Sequence, residues 1–446
     1  MRSALASLAA AALLGGCGGD HAAAAGADPL TLVLADWADY AEARLERRVL
    51  ALYEQAHPGL RVMQQSAATY QAEYRERILT SMAAGAPPDV FRLDNIDVPG
   101  FTDRGAVLDL APYLPRLGID LRRYDPTVLS IFSRGAAVYA LPDGYTPMVV
   151  VYNKDLFDRG GIPYPSDDWT WDDFTRIAKL LTRDTDGDGR IDQWGTAFDR
   201  RPFLWIPWIW AGGGDVLCAD GRRATGCLDA AATVDAVRWY TDWVTRDSIA
   251  PPAPPLPPPP GASALRQSPG DNLRLFATGK VAMLTAGHFW IPNLKPYLAP
   301  HRLRMGFVEI PHRAGVPPAT VVYASGLAVP ALAPHRKRSV ELATYLADSL
   351  AQTIRAQAGL ELPSLASVAE SLAARDTLGW ERVFLRATQH ARMPWGARIG
   401  QWREVEAALP DILDRVTIRG DDPAVATLEV ARAIDRVLAR GGRARR

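Results

Sequence analysis

The chain has 446 residues and a composition typical of globular proteins, with 48% hydrophobic, 22% charged and 9% aromatic residues. Since domains usually contain about 100–200 residues, this length predicts two or three domains. The 50 basic and 50 acidic residues give a formal net charge of zero, which argues against a nucleic-acid-binding protein because that class normally carries a basic excess. Proline and tryptophan are frequent, with 35 and 13 residues.

The N-terminus has the pattern of an exported, lipid-anchored protein. Arg2 precedes an apolar run at residues 4–14, which is too short to cross a hydrocarbon core of about 30 Å and has the build of a secretory signal. The LGGC sequence ending at Cys17 resembles the bacterial lipobox, in which the cysteine becomes the lipidated N-terminus. We therefore predict a lipoprotein signal peptide at 1–16 and a tether at 17–28. The alternative is an ordinary signal peptide with a chance cysteine.

This N-terminus predicts a location in the cell envelope. The protein would be anchored to the membrane by its lipid and would face the periplasm or the cell exterior. No later stretch reaches about 18 apolar residues, so the mature chain is expected to be anchored without spanning the membrane.

The first part of the mature chain alternates strand and helix patterns. Short β-prone runs at 31–35, 60–63 and 89–93 are separated by helical periodicity over 45–56 and 70–82. Strand, helix, strand, helix, strand at this spacing predicts a βαβαβ unit with a parallel sheet.

Similar patterns follow later in the chain. We predict strands at 138–141, 148–152 and 281–284, and a mainly helical region after residue 321. Thr170 and Asp229 are candidate N-caps of two helices. Pro207 suggests a loop around the tryptophans at 205–210, and the eight prolines of 251–260 predict a polyproline-like surface loop.

Residues 184–195 carry much of the pattern of a calcium-binding EF-hand loop. Its acidic positions 1, 3, 5 and 9 are Asp184, Asp186, Asp188 and Asp192. The Arg190 carbonyl stands at position 7, but Gly195 replaces the bidentate glutamate of position 12, so a ligand such as Asp199 would have to come from elsewhere. The loop is either a structural Ca²⁺ site or a solvated turn tightened by Asx hydrogen bonds. No other cofactor is expected.

Only Cys218 and Cys227 remain after the lipobox cysteine. They flank a polar turn with two glycines, and an exported location is oxidising, so we predict a disulfide across a hairpin. Two free thiols or a metal pair are the alternatives.

Six groups of short motifs occur in the order and spacing of a known family. They are GAPPDVF at 85–91, LPDGY at 141–145 with VYNKD at 151–155, WTWDDF at 169–174, AGGGD at 211–215, FATGKVAM at 276–283 and ASGLA at 324–328. Together with the lipobox they make the chain similar, over roughly 29–440, to the extracellular solute-binding proteins of ABC importers, the group of maltose-binding protein and other sugar binders.

The resemblance implies an α/β, two-lobe periplasmic-binding-protein fold of type II. Each lobe would be a mostly parallel sheet flanked by helices, with the ligand cleft between the lobes. The N-terminal lobe would comprise 29–142 and 286–328, and the C-terminal lobe 143–285 and 329–446.

The resemblance also implies a function and partners. The protein would be a monomeric substrate-binding component that captures a sugar or oligosaccharide for membrane permease subunits, and it would not be an enzyme. Two alternatives stay open: the same fold binding a non-sugar solute such as a polyamine, phosphodiester or peptide, and a carbohydrate-active enzyme with a pair of carboxylates.

Candidate ligand-binding residues lie just after predicted strands or at tryptophan-rich places. Aromatic rings suit the apolar face of a sugar, and carboxylates or amides suit its hydroxyls. The candidates are Trp37, Asp39, Asp94, Asn95, Tyr145, Trp208, Trp210, Gly287, Trp290, Tyr323, Trp395 and Arg398. For each of them, packing in the core or a turn is the alternative role.

Overall fold

The computed structural model describes residues 29–38, 40–67, 72–251, 270–298 and 303–443. The predicted signal peptide and tether with Cys17, and the prolines at 252–260, lie outside these residues. The strands of the described part are β1 (Leu30–Trp37), β2 (Leu60–Ala67), β3 (Val90–Asp94), β4 (Ser133–Arg134), β5 (Ala137–Val138), β6 (Leu141–Pro147), β7 (Val149–Asn153), β8 (Met283–Ala286), β9 (Met305–Val308), β10 (Thr320–Ala328) and β11 (Ala391–Arg392).

Helices connect and cover these strands. In the described part the α-helices are α1 (Tyr40–Ala56), α2 (Ala72–Ala83), α3 (Val98–Thr102), α4 (Pro126–Ile131), α5 (Lys154–Gly160), α6 (Trp171–Leu181), α7 (Pro202–Ala211), α8 (Ala231–Thr245), α9 (Gly270–Ala277), α10 (Ile291–Leu294), α11 (Arg336–Leu346), α12 (Ser349–Ala358), α13 (Ala366–Arg375), α14 (Trp380–Gln389), α15 (Trp402–Ala408), α16 (Pro410–Asp414) and α17 (Pro423–Arg443). Short 3₁₀ turns include Asn95–Asp97 and His288–Trp290.

The first sheet contains the predicted βαβαβ unit. Strand β1 pairs in parallel with β2 on one side and with β3 on the other, and α1 and α2 form the two connections. Strand β10 returns from far along the chain and pairs antiparallel with both β3 and β6. The parallel core of this sheet is therefore as the sequence predicts.

The second sheet is antiparallel, which corrects the expectation of a mostly parallel sheet in each lobe. Its order is β8-β7-β9, and β7 runs antiparallel to both neighbours. All five residues of β7 are buried, and four of them are apolar or aromatic. A continuous apolar run of this kind is typical of strands in parallel sheets. The run itself holds no information about the direction of its partners.

The chain passes between the sheets at points that differ from the expected lobe boundaries. It crosses at Met148, between β6 and β7. Strand β9 belongs to the second sheet, although 286–328 was expected in the N-terminal lobe. Helices α11 and α12 pack on the first sheet, where Val340 and Leu346 share a core with Leu34, so this part of 329–446 does not join the second sheet. An amphipathic pattern identifies an apolar helix face but not the sheet that this face covers.

Tryptophans form much of the core beside the second sheet. The rings of Trp171 and Trp239 stack with centroids 4.1 Å apart, and Phe174, Trp208 and Trp243 surround them. These rings supply large apolar areas to the interior, so they account for much of the tryptophan excess.

The segment expected to be a loop at Pro207 is helical. Helix α7 continues through Pro207, whose ring nitrogen cannot donate the usual hydrogen bond to the carbonyl of Phe203. That carbonyl instead accepts a hydrogen bond from the hydroxyl of Tyr323 in β10, at 3.3 Å. The proline is tolerated because another element replaces the missing donor.

Three further local predictions concern the disulfide and two helix N-caps. Cys218 and Cys227 form the predicted disulfide, although turns rather than a β-hairpin connect them. Thr170 caps α6 in a capping box. Asp229, by contrast, accepts a hydrogen bond from the Gly226 backbone, and α8 begins after Ala230.

A helix that crosses a membrane must be about 20 residues long and mainly apolar. Among the described residues, no helix is both long enough and apolar enough to cross a bilayer.

A buried network of ion pairs joins the first sheet to α1 and α12. Arg355 of α12 donates to both carboxylate oxygens of Glu46 in α1, at 2.9 and 2.6 Å. Arg92 of β3 lies 3.5 Å from Glu46 and donates to Asp143 of β6 at 3.1 Å. Burial acts to raise the pKa of Glu46, but Arg355 and Arg92 hold this pKa below its usual value. The carboxylate therefore stays ionised within the core.

We expect Arg355→Met to lower the free energy of unfolding by about 3–5 kcal/mol, because it leaves Glu46 buried without its bidentate partner. Denaturant unfolding measures this loss. The matched control is Arg123→Met, which removes a partly exposed ion pair with Asp348 and should cost less than about 1 kcal/mol. Equal losses in the two variants would show that the buried network is not a main source of stability.

Candidate ligand-binding cavity between the two sheets

A cavity of about 400 Å³ lies between the two sheets, within the roughly 300–1,000 Å³ common for small-molecule sites. The first sheet, with the helices α1 and α12 and the segment after α12, supplies most of its wall. These residues are Asp36, Trp37, Ala38, Glu42, Glu46, Arg92, Asp94, Asn95, Ile96, Asp143, Thr146, Tyr323, Ala324, Ser325, Gln352, Arg355, Leu360, Glu361 and Pro363. The remaining wall comes from Arg201, Phe203, Phe289, Arg403 and Glu406.

The ends of two parallel strands form one edge of the cavity. Asp36 and Trp37 lie at the end of β1, and Asp94 and Asn95 follow at the end of β3. The carboxyl ends of parallel strands meet at the same edge of a sheet, which is where open α/β sheets bind ligands. Asp94 also caps a short helical turn, since its Oδ1 accepts a hydrogen bond from the Ile96 N–H at 2.9 Å.

Aromatic rings face the cavity from both sides. Tyr323 of β10 contacts Phe203 of α7 edge to face, with ring centroids 6.1 Å apart, and the hydrogen bond from its hydroxyl to the Phe203 carbonyl holds the pair together. Trp37 lies under the guanidinium of Arg92, and Phe289 follows β8. Gly287 makes room for Phe289, because a Cβ at residue 287 would approach its ring to 2.3 Å.

The four guanidinium groups of the wall all have carboxylate partners. Arg92 and Arg355 pair with Asp143 and Glu46 in the buried network. The other two use aspartates outside the wall: Arg201 donates to Asp199 at 2.9 Å and Arg403 donates to Asp97 at 2.9 Å. The positive charge of the cavity is thus neutralised by the protein.

Three wall carboxyls have a raised pKa. Burial raises the pKa of Asp94 to about 7, against a hydrogen bond from Ile96 that lowers it. Burial and the charge of Asp143 raise the pKa of Glu361 to about 7. Burial also raises the pKa of Glu406 to about 7, against the lowering effect of Arg403. Near neutral pH these groups can both donate and accept hydrogen bonds.

The family of the chain follows from comparison with known proteins. Residues 34–353 match the family described as bacterial extracellular solute-binding protein. The chain belongs to that family. A lipoprotein described as uncharacterized, in the oleD 5′ region of Streptomyces antibioticus, is 34% identical over 118 residues. That match covers 26% of this chain and only a quarter of the relative.

Solved structures of the same fold extend over nearly the whole of this solute-binding protein. The ABC substrate-binding protein Lmo0181 from Listeria monocytogenes, in complex with cycloalternan, is 20% identical with a TM-score of 0.78 and covers 92% of this chain and 100% of its own. MalE from Bdellovibrio bacteriovorus, bound to maltotriose, is 21% identical with a TM-score of 0.73, covering 93% and 100%. UgpB from Mycobacterium tuberculosis, in complex with glycerophosphocholine, is 21% identical with a TM-score of 0.75, covering 93% and 100%. These similarities establish the type II periplasmic-binding-protein fold.

Four of the predicted ligand-binding residues of this solute-binding protein line the cavity, and Asp39 lies outside the described residues. The four are Trp37, Asp94, Asn95 and Tyr323. Each of them stands at the end of a strand or on the strand that joins β3 to β6. Contact of these residues with a ligand stays a prediction.

The other predicted residues lie away from the described cavity wall. Tyr145, Trp208, Trp210, Trp290 and Trp395 are all buried in the core. Trp208 donates to Thr285 at 2.8 Å, and Trp210 and Trp395 both donate to Asp215. Arg398 stacks on Trp395 and donates to the Ala219 carbonyl. Gly287 acts indirectly, through the space it leaves for Phe289.

Sequence reasoning missed most of the polar wall. Asp36 directly precedes Trp37, and Phe289 directly precedes Trp290, so attention to both neighbours of each aromatic residue would have found them. Glu361, Arg403 and Glu406 come from late segments whose place beside the strand ends depends on the fold. No local pattern marks these three residues as cavity residues.

The acidic loop brings part of the predicted calcium ligand set together. One carboxylate oxygen from each of Asp184, Asp186 and Asp188 lies within 4.8 Å of the others, which fits a shared cation. Asp192 instead accepts hydrogen bonds from Thr185, and Asp199 is paired with Arg201. The Asp184 carboxylate also accepts N–H groups of Gly187 and Gly189, as in an Asx turn.

The three raised pKa values predict how stability changes with pH. Between the ordinary carboxyl pKa near 4 and about 7, the folded protein binds more protons than the unfolded chain, so the free energy of unfolding of the ligand-free protein should fall as pH rises from 5 to 8. The fall should be on the order of a few kcal/mol. Denaturant unfolding of the triple variant Asp94→Asn, Glu361→Gln and Glu406→Gln should give a flatter profile, and an unchanged slope would contradict this assignment.

The calcium prediction is tested by thermal unfolding in CaCl₂ and in EDTA. If the loop binds Ca²⁺ through the three converging carboxylates, CaCl₂ should raise the melting temperature by a few degrees, and Asp186→Asn should remove the rise. Identical melting curves in the two buffers would identify the loop as a metal-free turn.

Proposed function

We propose that this protein is the substrate-binding component of an ABC transporter and captures a sugar or oligosaccharide for import. The observation that carries the proposal is the combination, in one cavity, of aromatic rings with many hydrogen-bonding groups. Trp37, Phe203, Phe289 and Tyr323 offer apolar faces, while carboxyls and amides surround them. A sugar has an apolar C–H face and a rim of hydroxyls, so both kinds of group have a partner on it.

Proteins of the same fold support this class of solute. One of these structures is in complex with cycloalternan, and another is bound to maltotriose. Each of the two matches more than 90% of this chain. The aromatic and polar wall of the cavity and the sugars bound by these similar proteins both favour a sugar as the solute.

A phosphodiester is less suitable for this cavity, although UgpB is in complex with glycerophosphocholine. An anionic group binds best to a guanidinium or ammonium that lacks another partner. Here the wall arginines are held by Asp143, Glu46, Asp199 and Asp97. A phosphate would have to compete with these pairs and would also face the wall carboxyls.

We further propose that the protein binds its solute without transforming it, acts as a monomer and delivers the solute to permease subunits. Anchoring through a lipid on Cys17, at the cell envelope, is part of the same proposal. It is supported by the lipobox resemblance and by the lipoprotein relative.

Calorimetric titration of the purified protein with neutral mono- and oligosaccharides tests the proposal. We expect at least one sugar to bind, and we expect Trp37→Ala or Phe203→Ala to weaken its binding about tenfold or more, because each variant removes a ring face from the cavity. Tyr164→Ala is the matched control, since Tyr164 lies outside the wall and its loss should leave affinity unchanged.

Two outcomes would contradict the proposal. A folded protein that binds no sugar or related polyol would exclude a sugar-binding role. Release of shortened products during incubation with labelled oligosaccharides would instead assign the cavity to a carbohydrate-active enzyme.

A further inference from the structure

The cavity wall carries an excess of carboxyls. Seven carboxyls and four guanidinium groups line it, and two of these guanidiniums are paired with aspartates that are not part of the wall. Asp94 and Glu406 line the cavity and have no ion-pair partner among the described residues. Only Arg403 acts on both as a nearby cation, and its guanidinium makes two hydrogen bonds to Asp97.

Asp94 and Glu406 reach the cavity from different parts of the fold. Asp94 stands at the end of β3 in the first sheet, while Glu406 belongs to α15, which packs on α17 and through it on α8. Both carboxyls act electrostatically on the hydroxyl of Tyr323, which lines the same cavity. The other charged groups acting on the pair are Asp97, Arg403 and Glu361.

Two buried carboxyls of the wall have oxygens without a donor in the described part of the chain. Glu406 is only 6% exposed and has no hydrogen-bond partner in the described part of the chain. Asp36 is 1% exposed; Gln64 donates to its Oδ2, but its Oδ1 has no donor among the described residues. A buried acceptor such as Asp36 Oδ1 is costly without a donor, and Glu406 also lines the cavity, so both side chains can accept hydrogen bonds from donors that a ligand brings.

A metal ion does not account for these groups. In the described residues, three carboxylates converge closely enough for a cation only at Asp184, Asp186 and Asp188, outside the cavity. The wall carboxyls are spread around a larger space, which suits an organic cation.

We propose that the solute carries a protonated amino group, which binds between Asp94 and Glu406 against the rings of Tyr323 and Phe203. An ammonium supplies three N–H donors and a positive charge, and it is attracted to aromatic faces. A neutral hydroxyl supplies one donor and leaves the carboxyl excess uncompensated. The inference rests on the proposed sugar-binding function and names its substrate class: amino sugars or aminocyclitols.

Titration of the purified protein with amino sugars and their N-acetyl counterparts tests the inference. The acetyl group removes the positive charge and leaves the ring hydroxyls unchanged, although it also adds the bulk of an amide. We expect the amine to bind at least about tenfold more tightly. The heat of binding should also depend on the ionisation enthalpy of the buffer, because the bound cation displaces protons from Asp94 and Glu406.

Variants test whether Asp94 and Glu406 cause the preference for the amine. Asp94→Asn and Glu406→Gln keep the side-chain shape and should each reduce the preference for the amine. Glu370→Gln, an exposed change on α13, should leave the preference intact. Comparison of ligand pairs on the unaltered protein does not depend on the folding of any variant.

The outcomes separate the inference from the function on which it rests. Neutral sugars that bind as tightly as their amines would overturn the inference and leave the sugar-binding function standing. Simple polyamines that bind while all sugars and amino sugars fail would overturn the sugar-binding function and, with it, the amino-sugar assignment.

Discussion

The buried ion-pair network of Arg355, Glu46, Arg92 and Asp143 is the constraint on which the cavity depends. It joins α12, α1, β3 and β6, four elements that are far apart in sequence. All four side chains also line the cavity, so the same contacts that hold these elements together shape its wall. Buried charges are tolerated only when they are paired, which explains why the arginines are occupied before any ligand arrives.

This pairing determines the character of the remaining wall. With the cations engaged, the cavity has little to offer an anion, and its other carboxyls are left to neutral donors or to a cation. Burial makes ionisation of Asp94, Glu361 and Glu406 unfavourable, and the pKa of each rises to about 7. Sugar hydroxyls and ammonium groups both suit such carboxyls, and this links the proposed function to the proposed substrate class.

Most of the tryptophans contribute to the core and not to the cavity. All 13 lie in the described part of the chain, and only Trp37 is on the cavity wall. Trp208, which was predicted to bind ligand, instead packs in the core with Trp239 and Trp243. The argument for a sugar now depends on Trp37 together with Phe203, Phe289 and Tyr323.

The sequence by itself determined the βαβαβ unit at 30–94, the disulfide and the family, because each depends on short-range periodicity, spacing or motifs. Trp37, Asp94 and Asn95 were predictable for the same reason, since they directly follow local strand patterns. Only the tertiary structure decided that the second sheet is antiparallel, that α12 returns to the first sheet, and that Glu361 and Glu406 line the same cavity as Asp94. Those facts depend on contacts between residues more than a hundred positions apart, and an apolar run or helix face does not specify its distant partner.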